Sequence, residues 1–442
     1  MTRARVAAVL AAGRSERLAQ VTGGGSKALI RLAGVSLVER AVRAMLGSGI
    51  EEVLVVVGYH AGPVAAVVKG IRGLVPGQVR VVLAEEWEAG NGASFAAAAP
   101  RLAADELFVV MTADHVFGEG VLDALCRSQE PAVLVDPEPA RDVWKEGTRV
   151  RIANGKAIAF GKHLDEPAVD CGVFVLSQEL FECQRQAARE GDWTLAGAVT
   201  RFAEQRTLRA VPIPRGSWWQ DVDTLEDLKK CKLLLRRSLA KDGDGPVSRY
   251  LNRPVSTRLS MWLASARLSP DLLSWMAVLL GLVAAAFLSV GSGIVGGLLA
   301  HATSVLDGMD GEAARLQMRE GPRGALLDGM LDRVADAAIL AGLGIWALDA
   351  APSSPASVLL LTVAAAFGSL MSMASKDRIR AHGLPPANER ALSWLLGGRD
   401  GRLLLVTVFG ILGLPLAALI GITATSLLTL TLRLLAVRRL AT

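Results

Sequence analysis

Two hydrophobic rhythms divide the chain. Up to about residue 265 the apolar runs are short and charged residues are dense; beyond it come long stretches of Leu, Ala, Val and Gly. In the first part, 6–10, 53–57, 79–83 and 107–111 have the length and β-branched content of buried strands. Segments between them, such as 36–46, repeat apolar residues at helical spacing. Strands alternating with helices predict an α/β domain over 1–230 on a mostly parallel, Rossmann-like sheet, with ligands at the carboxyl ends of its strands. In the second part, 271–290, 292–309, 325–348, 355–375, 402–418 and 419–437 approach the length of a bilayer-spanning helix. They predict an all-α domain of six transmembrane helices over 269–442. The stretch between, 231–268, interleaves arginines with Met261, Trp262 and Leu263, which suits a helix lying in the membrane interface or a plain linker.

Charge orients the spans. Basic residues collect in 312–323 (Arg315, Arg319, Arg323), in 376–402 (Lys376, Arg378, Arg380, Arg390, Arg399, Arg402) and at Arg438 and Arg439, while the turns near 291, 349–354 and 413–415 carry almost none. With six spans every basic segment falls on the side of the α/β domain. Positive-inside bias then predicts a multi-pass protein of the cell (inner) membrane with the N-terminal domain and C-terminus cytoplasmic. The apolar run after Met1-Thr2-Arg3-Ala4-Arg5 stops at Gly13, so no secretory signal is expected. Cys126, Cys171, Cys183 and Cys231 show no C-x-x-C pair and read as reduced thiols. A net charge of +5 suits anionic substrates or membrane lipids; no nucleic-acid partner is expected.

Within the membrane part, Asp307, Asp310, Gly311 and Ala314 share one face of a helix, and Gly324, Asp328 and Asp332 share a face of the next. Four carboxylates thus converge at the cytosolic side of the bilayer, where unpaired charge is costly and hard oxygen donors suit Mg²⁺ or Mn²⁺. The run D-x-x-D-G-x-x-A-R, eight residues, G-x-x-x-D-x-x-x-D from Asp307 to Asp332 resembles the signature of the CDP-alcohol phosphatidyltransferase family at every position. The resemblance implies that Asp307, Asp310 and Asp328 hold metal, with Asp332 closing the set, and that Gly311, Ala314, Arg315 and Gly324 receive the CMP part of a CDP-alcohol. It also implies that Asp332 is the general base for the acceptor hydroxyl. Asp336, one turn on, pairs with Arg333 in this reading. Lys376, Arg378 and Arg390 are candidates for gripping a phosphate on the acceptor, although topology or anionic lipid explains them equally well. Polar glue between helices, an ion pathway or a non-catalytic scaffold is the bland alternative.

In the soluble part, the small-residue loop from Leu10 through Ala12, Gly13 and Ser15 follows the first strand, with Arg17 and Lys27 beyond it. Such a loop offers backbone N–H groups, and the two cations add charge, for a triphosphate. It resembles the L-A-A-G-x-G-x-R…P-K start of sugar-nucleotide and alditol-phosphate nucleotidyltransferases, with Ser15 in place of glycine and Ser26 in place of proline. That likeness implies catalytic roles for Lys27 and Arg17. It further implies a metal carboxylate at Asp114 and a second from Trp219-Gln220-Asp221-Val222-Asp223-Thr224, with Asp223 favoured over Asp221. The loop holding Asn91 and Ser94 is then placed around the base. Each acid alone also fits strand-end or helix-capping duty. Lys145, Arg149 and Lys162 could meet a sugar phosphate or be ordinary surface charge.

The whole chain is similar to bifunctional inositol-1-phosphate cytidylyltransferase and di-myo-inositol-phosphate-phosphate synthases. That similarity implies CTP and inositol 1-phosphate as substrates, a CDP-alcohol intermediate, a phosphorylated polyol acceptor, Mg²⁺ or Mn²⁺ in both domains and a homodimer. Another CDP-alcohol, or a lipid acceptor giving a phospholipid, would use the same two chemistries.

Overall fold

The computed structural model describes residues 3–14, 16–18, 22–240, 243–383 and 389–440, so Ser15 lies outside the described residues, as does the side chain of Arg390. The chain forms two compact units, Met1–Leu235 and Arg236–Thr442.

The first unit is built on nine strands: β1 (Val6–Ala11), β2 (Glu52–Val57), β3 (Val79–Leu83), β4 (Leu107–Thr112), β5 (Ala132–Asp136), β6 (Arg149–Ala153), β7 (Lys156–Gly161), β8 (Val169–Ser177) and β9 (Arg209–Pro212), in the order β3-β2-β1-β4-β8-β5-β9-β7-β6. The four apolar runs legible in the sequence form the parallel group β3-β2-β1-β4. Helix α1 (Leu37–Gly47) lies on the crossover from β1 to β2, and Ser36 caps it by accepting from the Glu39 N–H at 3.2 Å. Beyond β4 the sheet becomes mixed: β8 runs antiparallel to both β4 and β5, and β6 and β7 form a hairpin. Asn154 and Gly155, at φ 51° and 74°, make the tight turn of that hairpin, and a turn this short can join only antiparallel strands. β1 is buried along its whole length, with one apolar cluster on each face of the sheet; this two-sided burial explains its unbroken apolar run. A separate ribbon pairs His115–Phe117 with Trp219–Asp221.

Helix α2 (Leu225–Arg237) leads out of this unit, so the boundary expected at 230 falls within a helix. The second unit comprises α3 (Arg253–Ser265), α4 (Pro270–Ser289), α5 (Gly293–Leu316), α6 (Pro322–Ala350), α7 (Pro355–Ala381), α8 (Arg399–Ile411) and α9 (Pro415–Leu440), with a short helix at Glu389–Ser393. Backbones approach closely where side chains are absent: a Cβ on Gly342 would lie 2.3 Å from the Ala285 carbonyl, the small-residue packing typical of helices in lipid. Among the described residues three helices are long and apolar enough to cross a membrane, Pro270–Ser289, Pro355–Ile379 and Pro415–Arg438. α5 and α6 have the length but carry the carboxylates. The last two expected spans, 402–418 and 419–437, are displaced. The chain breaks at 412–414, because Gly413 takes φ 73° and Pro415 starts the next helix. The 13 residues of α8 rise about 20 Å, well short of a bilayer core.

Candidate active sites

The first site lies at the carboxyl ends of β1 and β4, around a cavity of 580 Å³ lined by Leu10 to Arg14, Lys27, Trp87, Glu88, Asn91, Ser94 and Asp114 among others. Ser26, standing where proline was expected, is buried and accepts from the Ala28 N–H at 3.3 Å, capping the turn that carries Lys27. The ribbon brings two distant sequence elements together. Asp221 pairs in register with His115, and the Val222 N–H donates to the Asp114 carbonyl at 3.1 Å. As a result Asp114, His115 and Asp221 each offer a ligand atom within a 4.8 Å group. Asp223 faces the other way electrostatically: Lys27 lies 2.5 Å from it and also contacts Asp114, while Arg17 makes a further ion pair with Asp223. Asn91 and Ser94 line the cavity, yet Asn91 Oδ1 already accepts from the Leu195 N–H at 2.8 Å and Ser94 Oγ donates to Gly90 O at 3.2 Å. Arg149 spends its charge locally, over the Trp144 ring at 3.9 Å and on the Lys162 carbonyl.

Charge coupling separates the acids. Burial alone would raise Asp114, but Lys27 and His115 hold it well below the usual carboxylate range. Burial would lower His115, but Asp221 and Asp114 raise it to about 9, so beside these two carboxylates it is an imidazolium at neutral pH. Its ring stacks on Trp219 at 5.6 Å, and Trp219 in turn donates to Asp136 at 2.8 Å. Burial raises Asp221 to about 6, with His115 and Lys27 opposing. Asp221 Oδ1 is buried without a hydrogen-bond partner among the described residues, leaving an oxygen open beside Asp114, so this donor pair fits a hard divalent cation. A proton occupies Asp221 below about pH 6 and must leave before a cation binds. Mn²⁺ affinity, read by electron paramagnetic resonance on a chain with the membrane carboxylates replaced, is expected to fall about tenfold per pH unit below 6 and to level off above it. A flat profile would contradict this.

In the second site Asp307 and Asp310 come from α5 and Asp328 from α6, with one oxygen of each inside a 4.8 Å group. Asp310 is buried and accepts from Ser274 Oγ of α4. Gly324 has open space where a Cβ would stand, and Gly311 has only Arg315 Nη1, at 3.6 Å. Arg315 Nε is buried without a partner among the described residues, a donor fit for an anionic ligand. Three hard carboxylates at this spacing fit a divalent metal ion. Asp332 stands one turn beyond Asp328 and is held by Arg399 Nη1 at 2.9 Å; the same nitrogen lies 2.6 Å from Asp307. The expected Asp336–Arg333 pair does not form. Asp336 is buried against Arg399 (2.9 Å) and Arg402 (3.2 Å), while Arg333 pairs with Asp377 at 2.6 Å. α8 packs on α5 and brings both arginines in, whereas Arg333 turns to the exposed end of α7. Lys376 is half-buried and Arg378 exposed on α7.

Three cations with buried guanidinium nitrogens were counted in the sequence only as topological charge, or not at all: Arg399, half-buried as a residue, and the buried Arg402 and Arg433, the last held by Ser372 and Ser375 Oγ at 3.2 and 3.3 Å. The signal that could have found them is the rarity of unpaired arginine in apolar helices. A second missed group is Glu312, fully buried and held by Arg253 and by Ser256 Oγ at 2.7 Å.

Residues 7–209 match the MobA-like NTP transferase domain and residues 267–417 match the CDP-alcohol phosphatidyltransferase family. A bifunctional IPC transferase and DIPP synthase of Rubrobacter xylanophilus is 37% identical over 442 residues, covering 98% of this chain and 96% of the relative. The chain belongs to the bifunctional IPC transferase and DIPP synthase family. A second member, from Aquifex aeolicus, is 32% identical over 412 residues and 92% of each chain. Among solved structures, the inositol-1-phosphate CTP transferase from T. maritima is 22% identical with a TM-score of 0.48, covering 54% of this chain and 97% of that one. As a bifunctional IPC transferase and DIPP synthase family member, the protein is an enzyme with a nucleotidyltransferase half and a CDP-alcohol phosphotransferase half. The second half, with its apolar helices, makes it membrane-associated.

Proposed function

We propose that the enzyme first makes CDP-inositol from CTP and inositol 1-phosphate, releasing pyrophosphate, and then transfers the inositol-phosphate group of CDP-inositol to a hydroxyl of a second inositol 1-phosphate, releasing CMP. The observation that carries this reading is the presence, on one chain related to IPC transferases and DIPP synthases over nearly its whole length, of two separate sets of carboxylates, each beside a cation and open space. At the soluble site a phosphate oxygen of inositol 1-phosphate attacks the α-phosphorus of CTP and pyrophosphate leaves. The 10–14 loop cradles the phosphates, and Lys27 and Arg17 exchange their carboxylate partners for the triphosphate as it arrives. At the membrane site the hydroxyl of the second inositol 1-phosphate attacks the inositol-bearing phosphorus of CDP-inositol. Asp332 takes the hydroxyl proton, and CMP leaves towards Arg315 and the open face of Gly311 and Gly324. Mg²⁺ or Mn²⁺ held by Asp114 and Asp221, and by Asp307, Asp310 and Asp328, would neutralise phosphate charge.

In this reading the enzyme is a multi-pass protein of the inner membrane, a homodimer, with both sites on the cytoplasmic side and Lys376 and Arg378 near the acceptor phosphate. The direct test is phosphorus NMR on detergent-purified enzyme given CTP, Mg²⁺ and inositol 1-phosphate. Pyrophosphate, CMP and a phosphodiester carrying one phosphomonoester are expected together. Turnover with glycerol 3-phosphate or a lipid acceptor, and none with inositol 1-phosphate, would replace the substrate assignment.

A further inference from the structure

Arg399 is the first residue of α8, and its guanidinium is buried against three carboxylates from two other helices: Asp307 of α5, and Asp332 and Asp336 of α6. Asp336 lies outside the carboxylate group that fits a metal, as does Arg399 itself. We propose that Arg399 is the positioning residue of the phosphotransfer site, holding the Asp332 carboxylate towards Asp307 so that it faces the acceptor hydroxyl. The proposal rests on the functional reading above.

The geometry supplies the reason. Asp332 is joined to the helix by two rotatable bonds, and its neighbours Asp328 and Asp307 repel it. Without a cation between Asp332 and Asp307, the carboxylate would swing away from both. Arg399 supplies that cation through Nη1, at 2.6 Å from Asp307 and 2.9 Å from Asp332. Its plane is set from the opposite edge, where Nε donates to Asp336 at 2.9 Å. Asp336 is fixed in turn by Arg402, three residues on along α8, whose other nitrogen donates to the Gly397 carbonyl at 2.8 Å. A rigid planar fork makes these contacts along two edges at once; a lysine ammonium has one nitrogen and cannot. Asp336 and Arg402 thus act through Arg399, and Arg399 acts through Asp332.

The test uses the full-length enzyme in detergent, supplied with CDP-inositol, inositol 1-phosphate and Mg²⁺. Single-turnover CMP release and equilibrium binding of CDP-inositol are measured side by side. Arg399→Gln is expected to slow CMP release by about 100-fold, the scale of a misplacement near 1 Å. CDP-inositol should still bind one per chain, with affinity unchanged or tighter. Arg399→Lys should recover about a tenth of the lost rate, since it restores charge without the fork. Asp336→Asn should slow release about tenfold with donor binding intact. CMP release within about threefold of wild type in Arg399→Gln would overturn the proposal. So would loss of CDP-inositol binding in step with the rate, which would assign Arg399 to the donor site or to folding. Wild type that turns over another CDP-alcohol but not CDP-inositol overturns the donor assignment alone, and the variants are then compared on that donor. Wild type inert towards every CDP-alcohol sinks both.

Discussion

Asp332→Asn is expected to cut CMP release by about 10²–10⁴-fold while pyrophosphate release continues and CDP-inositol accumulates. The substitution keeps the shape of the side chain and its place beside Arg399, so the other groups of the site stay where they are. It removes the capacity to take a proton, together with the negative charge that Arg399 faces. Asp307, Asp310 and Asp328 form a carboxylate group of their own, and those three still fit a cation in the variant. A polyol hydroxyl is a weak nucleophile, so the loss falls on the chemical step and not on donor binding. Phosphorus NMR distinguishes the outcomes directly, because a CDP-inositol signal that grows without CMP locates the block at the second site. Equal loss of pyrophosphate and CMP would instead mean that Asp332 matters to the whole molecule.

The second large effect belongs to the soluble site. Asp114→Asn is expected to lower pyrophosphate release by at least about 10²–10³-fold, the scale of removing one preorganised charge partner at a phosphoryl centre. The Asp114 carboxylate contacts Lys27 and lies 2.8 Å from His115 Nδ1, and it shares a group with Asp221. Its loss leaves the cavity with excess positive charge and one fewer oxygen for a cation. Lys27 keeps Asp223 as a partner at 2.5 Å, so the turn carrying it stays ordered. CMP release from added CDP-inositol should be unchanged, and a drop there would show that the substitution harms more than its own site.

What the sequence made legible follows from how each feature is encoded. The parallel strands announce themselves because β1 and its neighbours are buried on both faces and read as unbroken apolar runs. The mixed half of the sheet does not, since β6 and β7 are exposed or half-buried except at Val150, Ala157 and Phe160, and are set by the Asn154–Gly155 turn. Asp307, Asp310 and Asp328 were readable because helical periodicity alone puts them on facing sides of consecutive helices. Asp221 and Asp223 were not separable by spacing. A two-strand ribbon, formed over a hundred residues of separation, turns the first towards Asp114 and leaves the second to Lys27 and Arg17. Arg399 was hidden for a similar reason: a basic residue at the start of a helix looks like topological charge until tertiary packing carries it inward. The helix boundary at 412–414 was marked by Gly413 and Pro415, yet hydropathy, which averages over a window, ran through it.

The claim that two independent sites act in series is tested most directly by mixing two inactive chains. Asp114→Asn protein and Asp332→Asn protein are combined with CTP, inositol 1-phosphate and Mg²⁺, and the phosphodiester is followed by phosphorus NMR. The account predicts that neither chain alone makes it and that the mixture does, at a rate that rises as CDP-inositol builds up. A mixture that accumulates CDP-inositol and never forms the phosphodiester, while Asp114→Asn protein alone turns over added CDP-inositol, would contradict a relay through free intermediate. A mixture that forms neither would contradict the two-site account itself.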